Sequence, residues 1–275
     1  MRIARIAAGG DPQFGIVELA EDGGEHPDTV SVLTGDPIAM PVQLTGERKE
    51  LAGVRLLAPV IPRSKVVGVG RNFAAHAAEL GNDVPATPLT FFKPNTSVIG
   101  PGEQIIYPEA SKEVSFEGEL AVVIGRICRQ VPLHRVPEVI FGYTIANDVT
   151  ARDLQKSDGQ WARAKGYDTF CPLGPWMTTH QSLEEVADLQ IRTTLDGEER
   201  QLGSTNLMVF SIPELIVYIS SYTTLLPGDV ILTGTPAGVG TMLPGQEVSI
   251  EVAGIGTLTN PVAAPDPGND GASKQ

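Results

Sequence analysis

The chain has 275 residues, 41% hydrophobic and 19% charged, a composition that supports a sizeable core in one large domain or in one domain with a small annex. Its 33 acidic and 20 basic residues leave a net charge of −13, which repels phosphate backbones and anionic lipid and excludes nucleic acid and membrane surfaces as partners. Two cysteines, Cys128 and Cys171, provide neither a disulfide framework nor a zinc spacing. No run approaches about 18 uncharged apolar residues, and Gly9-Gly10-Asp11-Pro12 interrupts the start of the chain before a signal peptide's apolar region develops. A cytoplasmic protein is expected. The 30 glycines and 22 prolines point to a strand-rich fold with many turns, a mixed, β-rich α+β class.

Residues 1–59 read as a small β annex. Arg2–Ala7, Phe14–Leu19 and Thr29–Leu33 are its candidate strands, and Glu21-Asp22-Gly23-Gly24 a turn. Pro59 and Pro62 mark the junction with a second domain over 60–262. There Lys65–Gly70 reads as a strand, followed by a short helix over 72–81 with Asn72 as N-cap and Gly81 as its stop. Leu89–Lys93, Glu119–Gly125 and Gly142–Ala146 are further strands. Ser182-Leu183-Glu184-Glu185 and Ser211-Ile212-Pro213-Glu214 are capping boxes. The second opens a helix through about Thr223, with Leu215, Ile216, Ile219 and Tyr222 as its apolar side. Asp196-Gly197 suits a type I′ hairpin between Leu189–Leu195 and Glu198–Leu202. Pro227-Gly228-Asp229 turns into the strand Val230–Thr233, and Glu247–Val252 with Gly256–Thr259 closes the domain as a hairpin. The tail 263–275 (AAPDPGNDGASKQ) has the composition of a disordered segment.

Chemistry concentrates in a few places. In Glu117-Gly118-Glu119 two carboxylates two apart on a strand face the same side. The apolar run Leu120–Ile124 beyond them has no polar face, the mark of a buried strand. A solvated strand end is the plainer reading of such a pair alone. Asp148, at the C-terminal end of a second buried-looking strand, tips the balance, because buried carboxylates are costly unless paired or metal-bound. All-oxygen ligands select a hard cation, Mg²⁺ or Mn²⁺. His76 and Glu79 share a helix face and can form a general base on water, though taken alone a surface His beside a surface Glu is the better reading. Lys165 in isolation reads as a solvated lysine. The amides of Gly234–Gly240 can hold a carboxylate or simply make a tight turn. Gly68-Val69-Gly70 lacks the third glycine of a dinucleotide fingerprint, since Phe73 stands there, and no phosphate loop or nucleophile elbow occurs.

Six segments, GRNFAAHAAELG (70–81), FFKP (91–94), FEGELAVVIG (116–125), GYTIANDVTARDLQ (142–155), KGYDTFCPLGP (165–175) and LTGTPAGVG (232–240), occur in the order and spacing of the fumarylacetoacetate hydrolase family, which the chain resembles from about Lys65 to Val262. The leading segment is similar to the small N-terminal domain of some bacterial members. The resemblance implies a β-roll fold, a homodimer, and a divalent metal on Glu117, Glu119 and Asp148. It implies that His76 and Glu79 form a lid dyad that activates water. It assigns Lys165 and Gln155 to polarising and positioning the substrate and Thr235 to a substrate carboxylate, with Arg71, Lys93 and Arg152 as further substrate-binding candidates. A fourth, upstream aspartate ligand of the larger hydrolases has no counterpart here, which favours the smaller three-carboxylate branch.

The expected function is therefore a Mg²⁺- or Mn²⁺-dependent enzyme of small 2-oxo acids that cleaves a C–C bond of an acylpyruvate or fumarylacetoacetate-type substrate, as in aromatic catabolism. Isomerisation of 2-hydroxyhepta-2,4-diene-1,7-dioate and decarboxylation of oxaloacetate are alternatives on the same site. A non-catalytic metal-bearing interaction protein is the alternative of another class.

Overall fold

The computed structural model describes residues 1–20 and 26–265. Strand outweighs helix, 40% against 18%, as the glycine and proline content requires. Among the described residues twelve strands form one sheet. Its main path runs Leu44–Glu50, Thr29–Leu33, Gln13–Glu18, Arg2–Ala7, Cys171–Thr178, Ile140–Asn147, Gly118–Ile124, Val230–Leu232, Val66–Gly70 and Leu89–Lys93. The N-terminal strands thus join the rest edge-on, through Arg2 and Ile3 against Thr178 and Met177. A five-stranded sheet carries the Gln190–Leu195/Glu198–Ser204 and Glu247–Val252/Gly256–Ala263 hairpins. A three-stranded sheet holds Val114–Phe116.

All seven residues of Gly118–Ile124 are buried. Leu120, Val122 and Ile124 pack on one side with the five-stranded sheet and with Leu215, Ile216 and Ile219 of the helix Ile212–Tyr222. Ala121 and Val123 pack on the other with Ile3, Val66, Leu173 and Val230. Apolar faces on both sides leave no room for uncompensated polar groups, so polar side chains at this strand's entrance need partners. The helix is stapled at its start by Glu214, whose carboxylate accepts from the Ser211 N–H (2.7 Å) and hydroxyl (2.6 Å). Burying each of its three apolar anchors is worth about 1.5–3 kcal/mol. Tyr222, expected on that apolar side, is exposed and meets the Thr90 hydroxyl at 2.8 Å.

Other differences from the sequence reading have local causes. The helix is shorter, Ala74–Glu79, with Phe73 at its N-cap. Asn72 does not cap it; its side chain bonds the Phe210 and Thr233 carbonyls and the Phe210 N–H. Gly81 does end the helix, with φ +68° and its N–H on the Ala78 carbonyl. Leu44–Glu50 is an unexpected strand because it is an exposed sheet edge, where charges keep other chains from pairing. Cys171–Thr178 is hidden in the sequence by Pro172, Gly174 and Pro175. Pro175 falls where the ladder to Ile140–Asn147 is irregular, so its missing N–H costs no ladder bond. Ala263, assigned to the tail, ends a strand and pairs with Ile106. The Glu21–Gly24 turn and residues 266–275 lie outside the described residues.

Candidate active site

Glu117 is not on the same strand as Glu119. It stands between Val114–Phe116 of the three-stranded sheet and Gly118–Ile124 of the large one. The chain changes sheets at this residue, so the two carboxylates are not placed by the spacing of a single strand. The Glu117 carbonyl accepts from the Asp148 N–H at 2.9 Å, and the Asn147 side-chain oxygen accepts from the Glu117 N–H at 2.9 Å. Ladder pairs Gly118–Asn147 and Glu119–Ala146 continue the alignment. Carboxylate oxygens of Glu117, Glu119 and Asp148 consequently all lie within 4.8 Å of one another, and all three residues are buried.

Three buried cations face them. Lys165 donates to Glu117 (2.8 Å) and Asp148 (2.6 Å), Lys93 to Asp148 (2.6 Å), and Arg152 to Glu117. Lys93 and Arg152, secondary in the sequence reading, thus sit at the centre, while Lys165 is the opposite of a solvated lysine. Burial raises the Glu117 carboxyl, but Lys165, Arg152 and His76 together outweigh it and hold Glu117 below the usual carboxylate range. Glu119 is pushed well above that range by burial and by Asp148 and Glu117, despite Lys165 and an N–H from Gly234. Burial works against the Lys165 ammonium, yet Asp148 and Glu117 raise it overall.

These residues fit a divalent ion. The donors are hard oxygens, they converge, and among the described residues the buried Glu119 carboxylate has no ion pair and accepts only from the Gly234 N–H. Three carboxylates balanced by three cations become a site of net charge +2 with such an ion, complementary to an anionic substrate with a developing oxyanion.

A cavity of about 440 Å³ opens onto the cluster, lined by Glu117, Glu119, Lys165, Arg152, Gln155, Arg71, His76, Thr235, Trp161, Leu80 and Val239 among others. His76 is buried on the short helix, its Nδ1 3.3 Å from a Glu79 oxygen. Glu79 is held in turn by the Gly238 N–H at 3.0 and 3.2 Å. The glycine-rich turn therefore does bind carboxylates, but the protein's own: Gly234 N–H holds Glu119 at 2.7 Å and Gly238 holds Glu79. Both glycines have φ of +99°, a conformation that aims the amides and that side chains resist. Thr235 lies in the cavity wall with its hydroxyl donating to the Gly118 carbonyl at 2.8 Å. Gln155 receives Arg152 at 3.0 Å. Two supports escaped the sequence reading, Asn147 and Gln201. The Gln201 side chain accepts from Gly118 N–H and donates to Thr235; it sits in a polar hairpin strand with no signal of its inward turn. Asn147 had one signal, adjacency to Asp148.

The fumarylacetoacetate hydrolase C-terminal family model matches residues 65–263. The chain belongs to the fumarylacetoacetate hydrolase family. Residues 1–59 match a second model, the Rv2993c-like N-terminal domain. Protein Rv2993c of Mycobacterium tuberculosis is 51% identical over 95% of this chain and 98% of its own. The mitochondrial oxaloacetate tautomerase Fahd2a of Rattus norvegicus is 42% identical over 76% of this chain and 69% of its own. Among solved structures, 5-carboxymethyl-2-hydroxymuconate delta-isomerase from Mycobacterium smegmatis superposes with a TM-score of 0.87 at 48% identity, covering 96% and 100% of the two chains. Fumarylpyruvate hydrolase from Pseudomonas aeruginosa, in complex with Mn²⁺ and pyruvate, gives 0.70 at 32% identity over 77% and 92%. The chain is a β-rich enzyme of this family. None of the helices among the described residues is long and apolar enough to cross a membrane.

Proposed function

We propose that this member of the fumarylacetoacetate hydrolase family is a Mg²⁺- or Mn²⁺-dependent enzyme that hydrolyses the C–C bond of a small acylpyruvate-type 2-oxo acid. The observation that carries the reading is one cavity lined by Glu117 and Glu119 of the carboxylate cluster, by Lys165, which bridges Glu117 to Asp148 behind them, and by His76. Glu117, Glu119 and Asp148 would hold the ion, which when bound supplies Lewis-acid polarisation of the 2-oxo group. Lys165, at the same carboxylates, places a positive charge where the substrate's 2-oxo oxygen gains electrons as the bond to C3 breaks. His76, oriented by Glu79, takes a proton from a water that attacks the distal carbonyl. The electron pair of the broken bond leaves with the pyruvate fragment as its enolate, and the acyl group leaves as a carboxylic acid.

A second reading, proton transfer alone, is favoured by the isomerase and tautomerase names of relatives at 48% and 42% identity. It uses the same oxyanion stabilisation and needs no attacking water. The homodimer implied by the family resemblance belongs with either reading, and sedimentation at micromolar concentration tests it.

The deciding experiment is a panel of acylpyruvates, fumarylacetoacetate, oxaloacetate and 2-hydroxyhepta-2,4-diene-1,7-dioate, run with added Mg²⁺ or Mn²⁺ and with excess chelator. Metal-dependent cleavage of an acylpyruvate to pyruvate and a carboxylic acid, or of fumarylacetoacetate to acetoacetate and fumarate, supports hydrolysis, whereas pyruvate formed from oxaloacetate with release of CO₂ marks decarboxylation. Tautomer interconversion without cleavage supports the second reading. Tight metal binding with no turnover across the panel would return the protein to a non-catalytic, metal-bearing role.

A further inference from the structure

A second cavity, of about 260 Å³, lies where the N-terminal strands meet the rest of the chain, and it shares no lining residue with the active-site cavity. Arg5, Phe14, Asp36 and Ile38 line it from the N-terminal side, Gly228 from the other side, and Ile61 and Arg63 from the stretch between. Its volume falls below the roughly 300–1,000 Å³ of pockets for drug-sized ligands, so it suits a small occupant.

The charged groups of this cavity are unequal. Asp36 is fully engaged, with Oδ2 accepting from Arg63 at 2.9 Å and Oδ1 from the Ile38 N–H at 2.9 Å. Arg5 forms no ion pair and no side-chain hydrogen bond among the described residues, although it lines the cavity. It stands in the strand Arg2–Ala7 directly opposite Phe14 on one neighbouring strand and Leu57 on the other, and residues so paired share a face. Burial pushes the Arg5 guanidinium's pKa down, and the charge of Glu103 restores only part of it. Glu103 is itself held by Arg55 at 3.0 Å and by the Gly100 N–H at 2.6 Å. With Arg5 and Arg63 against Asp36, the cavity keeps one positive charge in excess, in a chain whose net charge is −13.

The rest of the wall is apolar. Phe14, Ile38 and Ile61 contribute to it, and Ile61 remains 55% exposed. A planar fork of donors matches a carboxylate, and apolar side chains beside it match an apolar body. We propose that this cavity is a second ligand site, which binds a small monocarboxylic acid through Arg5 and packs the acid's apolar body against Phe14, Ile38 and Ile61. The site lies apart from the carboxylate cluster, so its occupant is neither substrate nor product, and the proposal holds whichever reaction the enzyme catalyses.

The test is calorimetry on the full-length, Mn²⁺-loaded protein with benzoate and its neutral counterpart benzamide. The wild type should bind benzoate about tenfold or more tighter than benzamide, the size of a charge-assisted hydrogen bond. Arg5→Gln should bring the two affinities together by weakening benzoate alone. Ile61→Glu changes an exposed position, which spares the fold, and puts a negative charge on the cavity wall; it should weaken benzoate far more than benzamide. Unchanged Mn²⁺ affinity in both variants checks their folding. Lys165→Met, in the active-site cavity, should leave the preference for benzoate intact. Equal affinity of the wild type for the two compounds, no binding of benzoate, or benzoate binding that Arg5→Gln does not change overturns the proposal. Benzoate binding lost in Lys165→Met and kept in Arg5→Gln overturns it too, and places the acid in the active-site cavity.

Discussion

The backbone N–H of Asp148 donates to the carbonyl of Glu117 across 2.9 Å, so two of the three carboxylates that face one another are joined through their main chains. The neighbouring pairs Gly118–Asn147 and Glu119–Ala146 extend that bond into an antiparallel ladder. Convergence of the carboxylates is thus a product of strand register rather than of flexible side chains finding a cation. A one-residue slip would turn every side chain to the other face, and the buried strands on both sides forbid it.

Asp148→Asn should therefore leave the fold in place, because the linking bond uses the main chain, while removing one of three charged ligands. Mn²⁺ affinity measured by calorimetry should fall by more than the roughly 10–100-fold typical of an outer-shell partner. Circular dichroism should show native secondary structure. Unchanged Mn²⁺ affinity would remove Asp148 from the ligand set.

Glu119 carries a pH prediction. Burial, then Asp148 and Glu117, raise its carboxyl well above the ordinary carboxylate value, so the metal-free protein retains this proton to a higher pH than an exposed glutamate does. A metal ligand must be deprotonated. Binding of Mn²⁺ should therefore release a proton and strengthen as pH rises through the range of the raised group. Calorimetry in buffers of different ionisation enthalpy reads the proton count directly. A binding enthalpy independent of the buffer would contradict the assignment.

A purely structural carboxylate provides a contrast. Asp229 is fully buried and accepts from the Ser64 hydroxyl (2.6 Å), the Lys65 ammonium (2.6 Å), and the Lys65 and Leu226 N–H groups (3.1 and 2.8 Å). It fixes the turn that launches Val230–Leu232 beside Gly118–Ile124. Asp229→Ala removes the charged partner of the Lys65 ammonium, which keeps only the Ser64 hydroxyl and the Thr224 carbonyl, and strips two amides and the Ser64 hydroxyl of their acceptor, and should cost about 3–5 kcal/mol in denaturant unfolding. A loss below about 1 kcal/mol would mean that water replaces the carboxylate.

Much of this arrangement is legible in the sequence, and the reason differs by residue. The three clustered carboxylates stand out because acids entering apolar strands need compensation, and the Ser211 and Ser182 capping boxes because their bonds are local. What local pattern cannot carry is pairing between distant segments. The Gly234 and Gly238 amides look available for a ligand until Glu119 and Glu79 arrive from 115 and 159 residues away. Asn72 looks like a helix cap because its partners, Phe210 and Thr233, lie 138 and 161 residues on. The strand Cys171–Thr178 goes unseen because Pro172, Gly174 and Pro175 break its local pattern, and only pairing with distant strands defines it.

The last prediction separates the roles within the cavity. Hydrolysis needs an activated water, whereas decarboxylation of oxaloacetate needs only stabilisation of the developing oxyanion. His76 reaches the cavity from a helix of six residues and is tied to Glu79 rather than to the Glu117–Glu119–Asp148 cluster. His76→Ala should accordingly lower acylpyruvate hydrolysis by about 10²–10⁴-fold, the usual contribution of a general base, and lower oxaloacetate decarboxylation far less where both are catalysed. Glu79→Gln should act in the same direction but more weakly, since the amide oxygen can still accept from Gly238 while the charge that orients His76 is gone. Lys165→Met should depress both reactions, because both pass through an enolate. Rate constants at saturating Mg²⁺ for each variant decide the matter. Equal losses in the two reactions for His76→Ala would assign His76 to closing the helix over the cavity or to binding substrate, and would end its role as the base on water.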